Sequence, residues 1–134
     1  MSKYVLIVDD DPDIRGLLID ALTMMGYESR KAVNGEEAIQ IINQSPPGVI
    51  ILDLMIPGLD GFSTLVRLRQ DQDSRRIPVI VMSALVDSEY QMRALPGVIG
   101  VMPKGNFSIE QFRNLLTQAG MTRSTGALCP GPPS

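Results

Sequence analysis

YVLIVDDDPDIRGLLIDALTMMG, residues 4–26, combines a short apolar run, a cluster of four aspartates and an amphipathic segment. The run at residues 4–8 is continuous and rich in β-branched side chains, which is typical of a strand buried on both faces. Asp11 and Pro12 are suited to the N-cap and the first position of a helix, and Gly26 is suited to its end. The stretch therefore predicts a strand followed by a helix. The residues expected on the inner face of that helix are Ile14, Leu17, Leu18, Ala21, Leu22 and Met25.

The same alternation of apolar run and amphipathic segment recurs along the chain. Further strands are predicted at residues 27–33, 49–52, 79–82 and 98–102. Further helices are predicted from residue 36, at 62–69, at 87–95 and from 109. Ser108 and Gln111 form the pattern of a capping box ahead of the last helix. The side chains expected on the inner face of that helix are Ile109, Phe112, Leu115, Leu116 and Ala119. Five strand–helix units predict an α/β fold, a doubly wound parallel sheet with helices on both faces.

Composition narrows the classes of function. The 134 residues suit one domain, and the net charge of −3 disfavours a general nucleic-acid binder. With one cysteine and no histidine, an internal disulfide, imidazole catalysis and histidine-ligated zinc are excluded. No apolar run approaches the roughly 18 residues of a membrane span, and the N-terminus lacks a secretory pattern. We therefore expect a cytoplasmic domain at residues 1–120, followed at 121–134 by a flexible Gly/Pro-rich tail or linker.

Polar residues follow four of the predicted strands. Because ligands of open parallel sheets bind at the carboxyl ends of the strands, these residues are expected at one rim. Each has an ordinary interpretation, such as a helix cap for Asp11 or a surface lysine. An isolated aspartate after a buried strand is harder to explain, because an unpaired buried charge costs several kcal/mol. The residues that follow strands one, three, four and five are Asp9, Asp10 and Asp11, then Asp53, Ser83 and Lys104.

The combination suits phosphoryl transfer to a carboxylate. Asp9, Asp10 and Asp53 offer the oxygen ligands that Mg²⁺ prefers. Lys104 would be a point charge for phosphate oxygens and Ser83 a hydroxyl donor, while Asp53 would be the nucleophile.

These residues also resemble a known family, the receiver domain of two-component response regulators. The segments that carry the resemblance are VLIVDDDPDIRGLL, AVNGEEAI, VIILDLMIPGLDGF, IPVIVMSA and VMPKGNF, within residues 3–119. The resemblance implies a flavodoxin-like (βα)5 fold, a five-stranded parallel sheet in the order 2-1-3-4-5. It implies Asp53 as phosphoacceptor, Asp10 as a direct Mg²⁺ ligand and Asp9 as a ligand largely through water. The other implied functional groups are the backbone carbonyl of Met55 as metal ligand, the hydroxyl of Ser83 and the ammonium of Lys104.

The resemblance further implies the partners. A sensor histidine kinase or a phosphotransfer protein would supply the phosphoryl group. The face formed by the fourth and fifth helices and the last strand would then shift and change the binding of a downstream protein or an output domain. The tail at residues 121–134 would suit either a linker to such a domain or the loose end of a stand-alone receiver. We expect no direct nucleic-acid or membrane binding by this segment, and a monomer or weak dimer.

Three departures from the family pattern stand out. The aromatic residue usually found three positions before the lysine is Val101, so the switch must be read out differently. Gly105 follows the lysine where the family has a proline in a cis bond, so we expect a trans bond or an unusually held one. The fourth helix is short, polar and stopped by proline, so we expect it to be mobile or poorly formed.

Met55 and Leu85, both bulky and apolar, predict slow self-dephosphorylation because neither can orient water.

Two other functions would use a similar set of residues. A Mg²⁺-dependent aspartyl phosphatase usually carries a second acid two residues after its nucleophile, and Met55 in that position argues against turnover. We therefore expect no enzyme beyond self-phosphorylation and slow self-dephosphorylation. A degenerate receiver that acts through phosphorylation-independent protein contacts is the other alternative. The complete set of acids, hydroxyl and lysine argues against it.

Overall fold

Five strands form one parallel sheet in the computed structural model, which describes residues 4–53, 61–71, 74–83, 97–104 and 108–121. For residues 61, 62 and 83 only the backbone is described. The strands are β1 (Val5–Val8), β2 (Ser29–Ala32), β3 (Val49–Asp53), β4 (Val79–Ser83) and β5 (Val98–Pro103). Their order is β2-β1-β3-β4-β5, and each neighbouring pair is parallel. The predicted flavodoxin-like architecture and strand order are confirmed.

Helices alternate with these strands in the described part of the chain. They are α1 (Pro12–Met25), α2 (Gly35–Gln44), α3 (Gly61–Gln70), a short 3-10 helix (Ser74–Arg76) and the C-terminal helix (Ile109–Gln118). The helix predicted at 87–95 lies outside the described residues. None of the described helices is long and apolar enough to cross a bilayer.

Local hydrogen bonds explain where the helices begin. The side chain of Asp11 accepts a bond from the Asp13 amide at 2.9 Å, which confirms the predicted N-cap of α1. The hydroxyl of Ser108 accepts from the Gln111 amide at 3.2 Å, which is the N-cap half of the predicted capping box. The side-chain amide of Gln111 donates across to the backbone carbonyl of Val101 at 3.4 Å. The bonds to Asp11 and Ser108 satisfy backbone N–H groups that have no partner within the helix, and the bond to Val101 ties the C-terminal helix to β5.

The core has two layers, one on each face of the sheet. Successive side chains of a strand point to opposite faces, so Leu6 and Val8 of β1 pack with α2 and α3. Val5 and Ile7 pack on the other face, with residues of α1 and the C-terminal helix. The continuous apolar runs of the strands are thus explained by burial on both sides.

Two residues predicted on inner helix faces are exposed, and those predictions are wrong. Leu17 is 49% exposed because it lies one residue, about 100° around the helix, from Leu18, which is fully buried. Ile109 is 45% exposed. It is the first residue of its helix, and helical side chains lean towards the N-terminus, so its side chain projects past the end of the helix.

Candidate functional site

Three carboxylates meet at the carboxyl ends of β1 and β3. Val8 and Leu52 are paired in register, so the next residues, Asp9 and Asp53, lie side by side. Both are 1% exposed, whereas Asp10 is exposed. A carboxylate oxygen from each of the three lies within 4.8 Å of the others. Two of these acids are therefore withdrawn from solvent at a distance where their negative charges repel.

Lys104 joins the acids from the far side of β4. It directly follows β5, and its ammonium nitrogen lies 2.6 Å from Oδ2 of Asp53 and 3.5 Å from Oδ1 of Asp9. Its side chain is only 20% exposed. One cation thus offsets part of the negative charge of two buried carboxylates, and it ties the end of β5 to the ends of β1 and β3.

Asp9 is held through its backbone and through one side-chain oxygen. Its amide donates to the carbonyl of Ala32 at 3.1 Å, and its carbonyl accepts from Nη1 of Arg15 at 2.9 Å. Oδ1 accepts from the amide of Asp11 at 2.9 Å. Oδ2 is buried and has no hydrogen-bond partner among the residues that the structure describes. A buried carboxylate oxygen without a partner is costly, and it marks a place for a cation or a donor.

The electrostatics of the site follow from burial and from these pairs. Burial raises the pKa of Asp9, and the nearby charge of Asp53 acts in the same direction, against the Asp11 amide and Lys104. For Lys104, burial alone would lower the pKa, but the hydrogen bond to Asp53 and the charges of both aspartates raise it. Lys104 is therefore held in its charged form, and the negative charge of the Asp9 carboxylate is only partly offset by its partners.

The donor set fits a small divalent cation. Carboxylate oxygens are the ligands that Mg²⁺ takes in proteins, usually one or two of them together with water. The buried Oδ2 of Asp9 and the exposed carboxylate of Asp10 would supply such ligands beside Asp53. The arrangement can hold a cation and a bound anion at the same rim, with Lys104 as the fixed positive charge.

The sequence model of the family described as the response regulator receiver domain matches residues 5–117. The chain belongs to this family. Receiver domains are signalling modules that work with histidine kinases and output domains, and they are not turnover enzymes.

Relatives and solved structures agree with this assignment. A protein of Guillardia theta named "Probable transcriptional regulator ycf27" is 45% identical over 86 residues, which are 64% of this chain and 33% of that protein. The receiver thus spans about a third of the curated relatives that it matches. The solved structure of chemotaxis protein CheY4 of Vibrio cholerae is 26% identical, with a TM-score of 0.78 over 89% of this chain and 99% of that one. The response regulator TrrA of Thermotoga maritima, in complex with Mg(2+)-BeF, is 26% identical, with a TM-score of 0.76 over 87% and 98%.

The receiver fold brings together four of the six predicted site residues: Asp9, Asp10, Asp53 and Lys104. The backbone of Ser83 ends β4, as predicted, but its side chain is not described. Met55, Leu85 and Gly105 lie outside the described residues. Val101 is 4% exposed and belongs to the core layer beneath α2 and α3, so no part of it is available as a surface signal.

Arg15 contacts the site and was not among the predicted residues. It lies in the first turns of α1, near the positive end of the helix dipole, where cations are disfavoured. A basic residue in that place was the available signal, because it requires a compensating partner. The partner is a backbone carbonyl, which leaves no trace in side-chain identity.

Proposed function

We propose that this receiver is the phosphoacceptor module of a two-component system and that Asp53 accepts the phosphoryl group. The observation that supports this best is the pairing of a buried Asp53 with Lys104 at 2.6 Å, beside two further carboxylates. A cluster of buried charges is costly, and the packing of the described residues does not account for it. The cluster is explained if its carboxylates bind a cation and Lys104 pairs with a phosphoryl group.

In the proposed reaction a carboxylate oxygen of Asp53 attacks the phosphorus of the donor. A new oxygen–phosphorus bond forms, the bond from phosphorus to the leaving group breaks, and the leaving group departs with the electron pair. The donor is the phosphohistidine of a kinase or phosphotransfer protein, or a small phosphodonor such as acetyl phosphate or phosphoramidate. Lys104 offsets negative charge at Asp53 and would then pair with a phosphoryl oxygen, with the hydroxyl of Ser83 as a second donor.

We assign the Mg²⁺ site to Asp9, Asp10, Asp53 and the backbone carbonyl of Met55. The unpaired buried Oδ2 of Asp9 supports the assignment, as does the complex of the related TrrA with Mg(2+)-BeF. When bound, the cation supplies positive charge that neutralises the carboxylates and the phosphoryl oxygens. Because it binds the folded state, Mg²⁺ should raise the melting temperature.

Phosphorylation is proposed to alter the binding of a partner or an output domain. We place the receiver at residues 1–120 and a tail or linker at 121–134, in the cytoplasm with its kinase. The ycf27 and PhoB relatives are named as transcriptional regulators, and the receiver matches 33% and 42% of their lengths. A DNA-binding output, where present, would therefore lie outside this segment.

The test is incubation with Mg²⁺ and acetyl phosphate or phosphoramidate, followed by intact mass. Wild type should gain the mass of one phosphoryl group, and Asp53→Ala and Asp53→Asn should gain none. Asp20→Asn, which changes an exposed aspartate of α1, is the matched control and should behave as wild type. A folded protein that gains no mass and has no affinity for Mg²⁺ would instead favour the degenerate receiver.

The lifetime of the phosphorylated form tests a further part of the proposal. Met55 and Leu85 offer no polar atom to orient water, so the acyl phosphate should persist well beyond seconds after the donor is removed. Loss of the added mass within seconds would contradict this expectation.

A further inference from the structure

Arg15 reaches back from α1 to the end of β1. Its backbone amide donates to the carbonyl of Asp11 at 3.0 Å, as expected for a residue of the helix. Its guanidinium Nη1 donates to the carbonyl of Asp9 at 2.9 Å. The side chain therefore bridges the helix that follows the acidic cluster and the strand that precedes it.

Position 15, near the start of α1, is unfavourable for a cation unless its bond to the Asp9 carbonyl has a function. The start of a helix carries partial positive charge, which repels a guanidinium. The Nε atom of Arg15 is buried and has no hydrogen-bond partner within the described ranges, which lowers stability. The stability of the helix alone therefore gives no reason for an arginine here.

The Asp9 carbonyl belongs to the peptide group that joins Asp9 to Asp10. Because a peptide group is planar, fixing its carbonyl also fixes the direction in which the Asp10 backbone continues. The amide of Asp9 is fixed separately by the carbonyl of Ala32 at 3.1 Å. Arg15 and Ala32 thus hold the Asp9 backbone from its two sides.

We propose that Arg15 is a positioning residue for the acidic pair. By orienting the peptide between Asp9 and Asp10, it aims the exposed carboxylate of Asp10 at the same point as the buried carboxylates of Asp9 and Asp53. The inference rests on the proposed function, because the point where they converge is the assigned Mg²⁺ site.

Two alternative roles of Arg15 predict opposite changes in Mg²⁺ affinity when the residue is replaced. If Arg15 were only a neighbouring positive charge, its loss would strengthen the attraction of the acids for Mg²⁺. If it positions the pair, its loss should weaken Mg²⁺ binding in spite of that electrostatic gain. A role in folding alone would lower the melting temperature of the metal-free protein and leave the Mg²⁺ dissociation constant unchanged.

The experiment is a calorimetric titration of the folded chain with Mg²⁺, together with the melting temperature without metal. Arg15→Met removes the donor and the charge and keeps most of the volume. It should raise the dissociation constant roughly tenfold, the change expected when one ligand loses its orientation. Arg15→Lys, which can still donate to one carbonyl, should raise it only about threefold. Arg113→Met, which removes an exposed arginine of the C-terminal helix, is the matched control and should bind as wild type.

The proposal is overturned if Arg15→Met binds Mg²⁺ as tightly as wild type, or more tightly. If that variant does not fold, Arg15→Lys decides in the same way, with the threefold weakening expected and unchanged binding contradicting it. Wild type without Mg²⁺ affinity would instead reject the proposed metal site and with it the proposed function.

Discussion

Two partly buried cations, Lys104 and Arg69, lie at opposite ends of the sheet and have different kinds of partner. Lys104 follows the carboxyl end of β5 and pairs with Asp53 and Asp9. Arg69, in the last turn of α3, lies at the amino ends of β4 and β5. Its Nη2 donates to the carbonyl of Ile77 at 3.0 Å, and its Nη1 donates to that of Arg75.

The pKa directions express the difference. Burial lowers the pKa of Arg69, and its described partners are neutral carbonyls. Burial would also lower the pKa of Lys104, but two carboxylates reverse the direction. A lysine that pairs with carboxylates can pair instead with a phosphoryl group, which is also negatively charged. The carbonyls that Arg69 binds belong to the segment ahead of β4, away from the acidic cluster, so we interpret Arg69 as structural and propose Lys104 as functional.

Replacement of Lys104 should have the largest effect. Lys104→Met removes the fixed positive charge beside Asp53, and the initial rate of phosphorylation by acetyl phosphate should fall about 10²–10³-fold, as for other preorganised electrostatic groups. The rate is measured by intact mass over time at saturating Mg²⁺. A rate within threefold of wild type would break the contrast between the two cations.

Replacement of Arg69 should act on stability instead. Arg69→Met leaves the carbonyls of Arg75 and Ile77 without their donor, and the free energy of unfolding should fall by about 1–3 kcal/mol. Urea denaturation measures it, and Arg67→Met, an exposed arginine of the same helix, should change it by less than about 1 kcal/mol. The folded Arg69→Met protein should be phosphorylated at nearly the wild-type rate; a large loss of rate would assign Arg69 to the site.

Two glycines test the structural role of Arg69 through a smaller change in stability. Gly97 and Gly120 both have φ of +83°, so alanine is strained equally at the two positions. A Cβ at Gly97 would overlap the guanidinium of Arg69, whereas one at Gly120 would meet nothing within 4 Å. Gly97→Ala should therefore destabilise by about 1–2 kcal/mol more than Gly120→Ala.

The combination with Arg69→Met checks the cause. In that background the excess cost of Gly97→Ala over Gly120→Ala should shrink towards zero, because the overlapping group is gone. An excess that persists would show that the guanidinium is not what crowds Gly97.

The sequence predicted those features that depend on the identity of side chains, and it missed contacts made to the backbone. The parallel sheet and the meeting of Asp9, Asp53 and Lys104 followed from apolar runs and from where each run ends, because parallel strands present their carboxyl ends at one rim. The strand order followed only from the resemblance to receiver domains. Leu17 was misplaced because periodicity marks a stripe without its exact edges. Arg15 and Arg69 were missed because their partners are backbone carbonyls, which every residue carries.

We propose that Asp53, among several neighbouring aspartates, is the residue phosphorylated. Borohydride reduces an aspartyl phosphate to homoserine, and peptide mass spectrometry then locates the modified position. After phosphorylation with Mg²⁺ and acetyl phosphate, we predict homoserine at position 53 and unmodified aspartate at Asp9, Asp10 and Asp11. Homoserine at any of those three positions, with Asp53 unmodified, would contradict the assignment of Asp53 as the phosphoacceptor.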